Sequence, residues 1–429
     1  MQGITLEANS NSSEAVSKPN REFFPQLTSV RFFAAFMVVL YHYEKLIADF
    51  FPAPIKNAIH HGFVGVSFFF ILSGYILGSN YYAKFSDSSN SPAERKRQRI
   101  DFFWARLARI YPLYLVSILV MVPRVFMNPA NDPHPEHIQF FFAHPMWSVL
   151  GHVFALQSFD HRIGEIFNAP TWSISTEFLF YFCFPLIVPL VARVQTKRLA
   201  ASIFALFLLG MIFPIAYHSG VFPMLAKQLG LGYSADFDNQ LNQWIRMMFL
   251  FRLPEFVMGV LSFRWYREIL VSSREQSVSR FGWVSGIAGL LFLCFICLQP
   301  GSEVEKTALL SGQVFGVPFF LSAVLFLVLS RGALVRFLSL PWLVLLGEAS
   351  FALYLIHLPI KQFVRFILPR VLHINPETPW VLAITIVFTI ILSIPVFKYL
   401  ETPARKFLMK WRKERISKLS AQPASPIIS

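Results

Sequence analysis

Apolar residues in this chain come in long runs separated by short polar breaks, and neither the two-residue period of strands nor a soluble amphipathic stripe dominates. Ten runs are long enough to cross a bilayer as helices, which takes about 20 residues each. They lie near 28–46, 62–82, 103–124, 171–191, 199–217, 244–263, 281–299, 309–329, 341–362 and 379–400. An eleventh apolar stretch, 139–159, is interrupted by His144, Pro145 and His152 and reads as a partly buried or re-entrant loop. The expected fold is an all-α polytopic transmembrane bundle of about ten spans. Residues 1–27 are polar and rich in Ser and Asn, a composition that cannot bury enough apolar surface to fold. They read as a disordered cytoplasmic tail before an uncleaved first span. The membrane domain then covers 28–407, and 408–429 is a basic C-terminal tail. The stretch KFLMKWRKERISKL at that end is expected to lie on the anionic inner leaflet.

Composition agrees with the pattern. Hydrophobic residues make up 55% of the 429 positions, while charged residues make up only 14%, too few to coat a soluble domain. The formal net charge of +14 would point to nucleic acid in a soluble protein. Here its distribution points to membrane topology, and no nucleic-acid partner is expected. With the N-terminus inside, 27 of the 38 Lys and Arg residues fall in inside loops and helix ends, ten fall outside, and Arg252 lies within a span. By the positive-inside rule both termini are cytoplasmic. Cys183, Cys294 and Cys297 all sit in apolar runs with no flanking ligands, so they read as core thiols. His60 and His61 lack an accompanying carboxylate or Cys cluster, and no metal site is expected.

Charges inside a bilayer are costly and usually face a bundle interior, where they mark pathways or reaction centres. In RFFAAFMVVLYH, Arg31 and His42 are eleven residues apart. Eleven helical steps end about 20° past three full turns, so the two share one face about 16 Å apart along the axis. Ala34, Ala35 and Val38 leave that face narrow, with room for a slender ligand or a close neighbour. Snorkelling of Arg31 to headgroups is the bland alternative. In NAPTWSISTEFLFY, Pro170 suits a helix start, and Ser173, Glu177 and Tyr181 follow as one polar stripe. Counted from opposite faces, Glu177 and His42 reach similar depths, where a carboxylate would orient the imidazole. Arg106 and Arg109 in FFWARLARIYPLY share a face at the cytoplasmic boundary, an arrangement suited to a phosphate-bearing ligand as well as to plain anchoring. In GEASFALYLIHLPI, Ser350, Tyr354 and His357 line up on one face. Arg252 and Glu255 are spaced for an intrahelical ion pair, and the glycines of HHGFVGVSFFFILSGYILG signal close helix packing. No phosphate loop, dinucleotide turn, CxxC pair or nucleophile elbow is present.

Taken in order, these pieces resemble the family-three membrane acyltransferases from about residue 27 to 407. The Arg31, ten residues, His42 pattern resembles the family's first-span signature. GVSFFFILSGYI, RLARIYPLY, TWSISTEFLFY, SFALYLIH and ETPARKF resemble its later ones. Thr176 stands where many relatives carry an apolar residue. The resemblance implies an integral plasma-membrane (inner-membrane) enzyme that moves an acyl group, often acetyl, from cytoplasmic acyl-CoA to a hydroxyl of a cell-surface or lipid-linked carbohydrate. Some members carry an appended extracytoplasmic esterase-like domain. No such domain is read here, so transfer is expected within the spans or with a separate partner. On this reading Arg106 and Arg109, with Arg31, hold the phosphates of the acyl-CoA donor (acetyl-CoA). His42 is general base and Glu177 its orienting partner, while Ser173, Tyr354 and His357 contact the acceptor or the developing oxyanion. A transporter of lipid-linked sugars or small metabolites is the alternative, and a sensor with a decayed site is another. Both predict no acyl product.

Overall fold

The computed structural model describes residues 23–47, 50–127, 135–271 and 310–421, with isolated positions between 287 and 298. Among the described residues every regular element is helical. The principal helices are α1 (Pro25–His42), α2 (Gly65–Ser86), α3 (Pro92–Met127), α4 (Thr171–Arg193), α5 (Leu199–His218), α6 (Phe249–Val271), α7 (Gly316–Leu329), α8 (Ser350–Ile367), α9 (Pro379–Pro395) and α10 (Thr402–Ala421).

Among the described residues, seven helical segments are long and apolar enough to cross a membrane: Gly62–Ser86, Pro92–Met127, Thr171–Arg193, Thr196–His218, Gly312–Leu329, Ser350–Leu372 and Pro379–Ser417. Of the other three expected spans, two form helices with more polar character. α1 carries Arg31 and polar ends, and α6 carries Arg252, Glu255, Arg264, Arg267 and Glu268. The third, 281–299, lies mostly outside the described residues. Several boundaries move. The segment expected at 244–263 breaks at Met248, which is extended at ψ 128°, so α6 begins at Phe249. The segment expected at 341–362 divides at Ala349 into a short helix, Pro341–Glu348, and α8. α3 runs for 36 residues, about 54 Å at 1.5 Å per residue, so it extends well beyond a hydrocarbon core of roughly 30 Å. The apolar stretch 139–159 is broken, as its His and Pro residues require. Pro135–Ala143 and Pro145–Val153 are short helices separated at His144, followed by the turn Gln157–Phe159.

The tightest helix pair is α2 with α6. A Cβ on Gly74 would sit 2.0 Å from the Phe256 carbonyl oxygen, and one on Gly259 would sit 2.1 Å from that of Ile71. The two glycines therefore let two backbones touch where any side chain would hold them apart. The neighbouring aromatic rings of Phe70, Phe180 and Phe256 fill the space around this contact. α5 is the opposite case. Leu199 and Pro214 are its buried residues, while Phe204, Leu208, Leu209 and Ile212 face outward, as suits a helix bathed in lipid.

The segment expected as a basic tail, 408–429, continues as helix to Ala421, and its first turns dock on α3. Trp411 stacks on Trp104 with ring centroids 5.7 Å apart, and Trp104 Nε1 donates to the Leu408 carbonyl at 3.3 Å.

Candidate functional site

A cavity opens between α1, α2, α3, α4 and α8. Arg31 reaches it from α1, Ser73 from α2, Arg106 and Arg109 from α3, Ser173, Glu177 and Tyr181 from α4, and Ser350 and Tyr354 from α8. Three stripes that helical spacing placed on separate spans thus face one space. The cavity volume is ≈ 80 Å³. A water needs roughly 10–15 Å³ on this measure, so the space takes a handful of waters or the end of a slender chain, and a nucleotide must remain outside it.

The three arginines have an unusual environment. Among the described residues none of them makes an ion pair within 4.0 Å. Arg106 donates to Tyr81 Oη at 3.2 Å and lies over that ring at 5.4 Å, but its Nε is buried without a partner. Half-buried cations drawn together, with no carboxylate within 4.0 Å among the described residues although Glu177 lines the same cavity, are suited to receiving an anion.

Glu177 is held by hydroxyls. Ser73 Oγ donates to Glu177 Oε1 at 2.7 Å and Tyr181 Oη donates to the same oxygen at 2.8 Å. The expected bond from Glu177 to His42 is not formed. α2 packs against α4 and brings Ser73 to the carboxylate at the level of Arg31, while His42, three turns further along α1, meets α8. Sequence reasoning treated Ser73 only as a small packing residue.

His42 instead meets His357. Its Nδ1 lies 2.8 Å from the Val38 carbonyl oxygen and 3.3 Å from His357 Nε2, and the ring centroids are 4.9 Å apart. His357 Nδ1 lies 2.6 Å from the Tyr354 carbonyl oxygen. A carbonyl oxygen only accepts, so each neutral ring carries its proton on Nδ1. His357 Nε2 is then the acceptor of the longer, shared branch from His42 Nδ1–H, and the lone pair of His42 falls on Nε2. Lys361 Nζ donates to the His42 carbonyl and lies 5.0 Å from the Tyr43 ring centroid. Lys361 sits four residues after His357, a helical spacing that could have revealed it.

Tyr354 joins the two regions. Its hydroxyl is 2.7 Å from Ser173 Oγ in the cavity, and its carbonyl anchors His357. Ser173 Oγ also donates to the Pro170 carbonyl at 2.8 Å. The unusual Thr176 points away from the cavity and donates to the Met247 carbonyl at 2.9 Å. Its hydroxyl thereby satisfies backbone at the break before α6 and does not perturb Glu177.

Other sequence candidates lie apart from this space. Arg252 and Glu255 do pair, at 3.2 Å, and Arg252 also donates to Ser67 Oγ at 2.9 Å. His60 pairs with Glu44 at 2.9 Å. Cys183, Cys294 and Cys297 are free thiols. Among the described residues no three His, Cys, Asp or Glu side chains gather as a metal site.

Fold and cavity together define a helical membrane protein with an arginine-bearing cavity and, outside the residues that line it, a histidine pair joined to it through Tyr354. Comparison with known proteins gives the class its name. The acyltransferase 3 family model, an acyltransferase domain, matches residues 24–398, and the chain belongs to that family of acyltransferases. It is 28% identical to the acyltransferase MdmB of Streptomyces mycarofaciens over 79% of each chain. It is 23% identical to the O-acetyltransferase OatA of Staphylococcus aureus strain NCTC 8325, over 90% of this chain and 57% of that one. It is 24% identical to a putative O-acetyltransferase of S. aureus strain MRSA252, over 92% of this chain and 60% of the relative. The chain thus spans about three-fifths of the length of the S. aureus relatives. No solved structure matches it.

Proposed function

We propose that this chain is an integral membrane O-acyltransferase that takes an acyl group, acetyl foremost, from cytoplasmic acyl-CoA and passes it to a hydroxyl of a cell-surface or lipid-linked carbohydrate. The observation that carries the reading is that Arg31, Arg106 and Arg109 share one cavity with Glu177 and Tyr354 and, among the described residues, make no ion pair within 4.0 Å. Family membership supports the reaction class, and the O-acetyltransferase names of two relatives support oxygen as the accepting atom. The split of Lys and Arg supports ten spans with both termini cytoplasmic, in the plasma (inner) membrane.

Each group then has a physical task. The arginines hold the donor's phosphates by charge-assisted hydrogen bonds at the cytoplasmic mouth, because the cavity admits only the slender thioester end. His42 Nε2, bare because Nδ1–H is committed to the Val38 carbonyl, takes the acceptor hydroxyl's proton. The acceptor oxygen bonds to the thioester carbon, the carbon–sulfur bond breaks, and the sulfur leaves with the electron pair. The imidazolium returns the proton to that thiolate, so no net proton is gained or lost. Ser173 and Tyr354 bring two hydroxyls together in the cavity and suit the developing oxyanion. Glu177, held by Ser73 and Tyr181, places a negative charge in the arginine-bearing cavity.

The test is acyl transfer by the purified, reconstituted protein with labelled acetyl-CoA. His42→Ala is expected to lose transfer while still binding CoA, and full activity in that variant would remove the base assignment. A transporter would show neither CoA binding nor acyl product.

A further inference from the structure

The reaction proposed above makes no use of α10, yet that helix is fixed to the arginine-bearing part of α3. Arg412 bonds to Asp101 and donates to the Ile100 carbonyl at 3.1 Å, and one turn earlier Leu408 accepts from Trp104. As numbers rise on α10 they fall on α3, so the pairing is antiparallel. Continued by one more turn, it sets Arg405 alongside Arg106 and Arg109. The electrostatic neighbours agree, since Arg109, Glu401, Arg106 and Glu348 are the charges that act on Arg405. Arg109, Arg31, Arg405 and Glu348 are those that act on Glu401.

Glu401 ends an irregular π-helical turn, Val396–Glu401, just before α10. Such turns recur at functional sites. The residue is only 4% exposed, and its Oε2 is buried without a hydrogen-bond partner. Glu401 is close enough to Arg31, Arg109 and Arg405 to be felt, yet among the described residues none of them comes within 4.0 Å of it. A carboxylate meant only to neutralise arginines would bond to them directly and fill its orphan oxygen. A carboxylate held more than 4.0 Å from them leaves their N–H groups to another anion.

We infer that α10 completes the donor site: Arg405 is a fourth cation for a phosphate-bearing ligand, and Glu401 is a resident counter-charge that the ligand's phosphates replace. The inference rests on the reading that Arg106 and Arg109 bind the donor's phosphates. Four arginines brought together, three of them half-buried and Arg405 exposed, repel one another. Glu401 offsets that repulsion in the empty protein and competes weakly with the incoming anion. The same phosphate chemistry occurs in a coenzyme and in an anionic lipid headgroup, so the test must separate the two.

The full-length protein in neutral-lipid nanodiscs is titrated with CoA by calorimetry, and thermal unfolding is recorded with and without added phosphatidylglycerol. Arg405→Ala is expected to weaken CoA binding about tenfold or more, the size of one lost charged hydrogen bond. Glu401→Gln is expected to tighten CoA binding several-fold while lowering the unfolding temperature of the empty protein. A common folding defect cannot move affinity in opposite directions. Unchanged CoA affinity in Arg405→Ala, with loss of stabilisation by phosphatidylglycerol, would assign the cation to lipid and overturn the donor role. Unchanged or weakened CoA binding in Glu401→Gln would overturn the counter-charge. If these two variants bind like wild type while Arg106→Ala with Arg109→Ala binds weakly, this inference fails and the proposed function stands. No CoA binding by the wild type would overturn both.

Discussion

The arginine-bearing cavity and the histidine pair, two ends of one candidate site, solve the problem of burying polar groups in different ways. At the arginine end, among the described residues, the charges are unpaired within 4.0 Å and Arg106 Nε is buried without a hydrogen-bond partner. At the histidine end each ring turns Nδ1–H to a backbone carbonyl, of Val38 or of Tyr354, and the two rings are in contact with each other. Unpaired charge is expensive to bury and is suited to receiving an opposite charge. A satisfied neutral imidazole is inexpensive to bury and keeps one lone pair for a proton. On the proposed reading the contrast separates binding from chemistry along the bundle, with Tyr354 bonded toward both.

Substitutions at each end should therefore fail differently. The largest effect is expected from His42→Ala. Loss of a general base costs about 10²–10⁴-fold in rate, so kcat should collapse while CoA affinity stays, as read by transfer of labelled acetyl. A comparable loss of CoA affinity would show that the two ends are not separable. Next comes Arg106→Ala with Arg109→Ala. Two lost charged hydrogen bonds correspond to about 100-fold or more in donor KM, with a smaller fall in kcat at saturating donor. The residual affinity of this variant should respond less to added salt than the wild type, since fewer charges remain to be screened. An unchanged salt dependence would argue against a charge-based donor site.

Gly74→Leu probes the scaffold that both ends share. The new side chain would meet the Phe256 backbone, and overpacking of this kind costs about 1–3 kcal/mol. Thermal unfolding in detergent should fall while the relation between kcat and donor KM in the surviving protein is preserved. The smallest change is expected from Tyr354→Phe. It removes the hydroxyl facing Ser173 but keeps the carbonyl that anchors His357, and one neutral hydrogen bond is worth about 1 kcal/mol. A modest drop in kcat with unaltered CoA affinity would place Tyr354 with the chemistry, whereas a rise in donor KM alone would move it to the arginine end.

How much of this was legible beforehand follows from what each feature depends on. The lengths of the apolar runs depend on bilayer thickness, so most spans were visible, including the broken stretch around His144. Their exact starts were not, because the polar marks at the breaks, Arg246 before Met248 and Glu348 with Ser350 around Ala349, are isolated residues beside long apolar runs. The stripes on single helices were legible too. Arg31 with His42, Arg106 with Arg109, and Ser173 with Glu177 and Tyr181 all follow from 3.6 residues per turn, and their order along the chain carried the family resemblance.

Contacts between helices were not legible in the same way. Matching depths suggested that Glu177 would meet His42, but a residue count fixes neither the level at which two helices meet nor the rotation of one relative to the other. Both are set by packing, as where Gly74 and Gly259 let α2 close onto α6. Packing gave Glu177 to Ser73, His42 to His357, and the hydroxyl of Thr176 to the Met247 carbonyl, whereas Tyr181 reaches Glu177 from one turn along the same helix. It also set α10 against α3, where a run of basic residues had read only as a tail. The sequence by itself determined the spans and the face each ionisable side chain occupies, because both are local and periodic. Only the tertiary structure decided which faces meet, because that choice depends on shape complementarity between segments far apart in the chain.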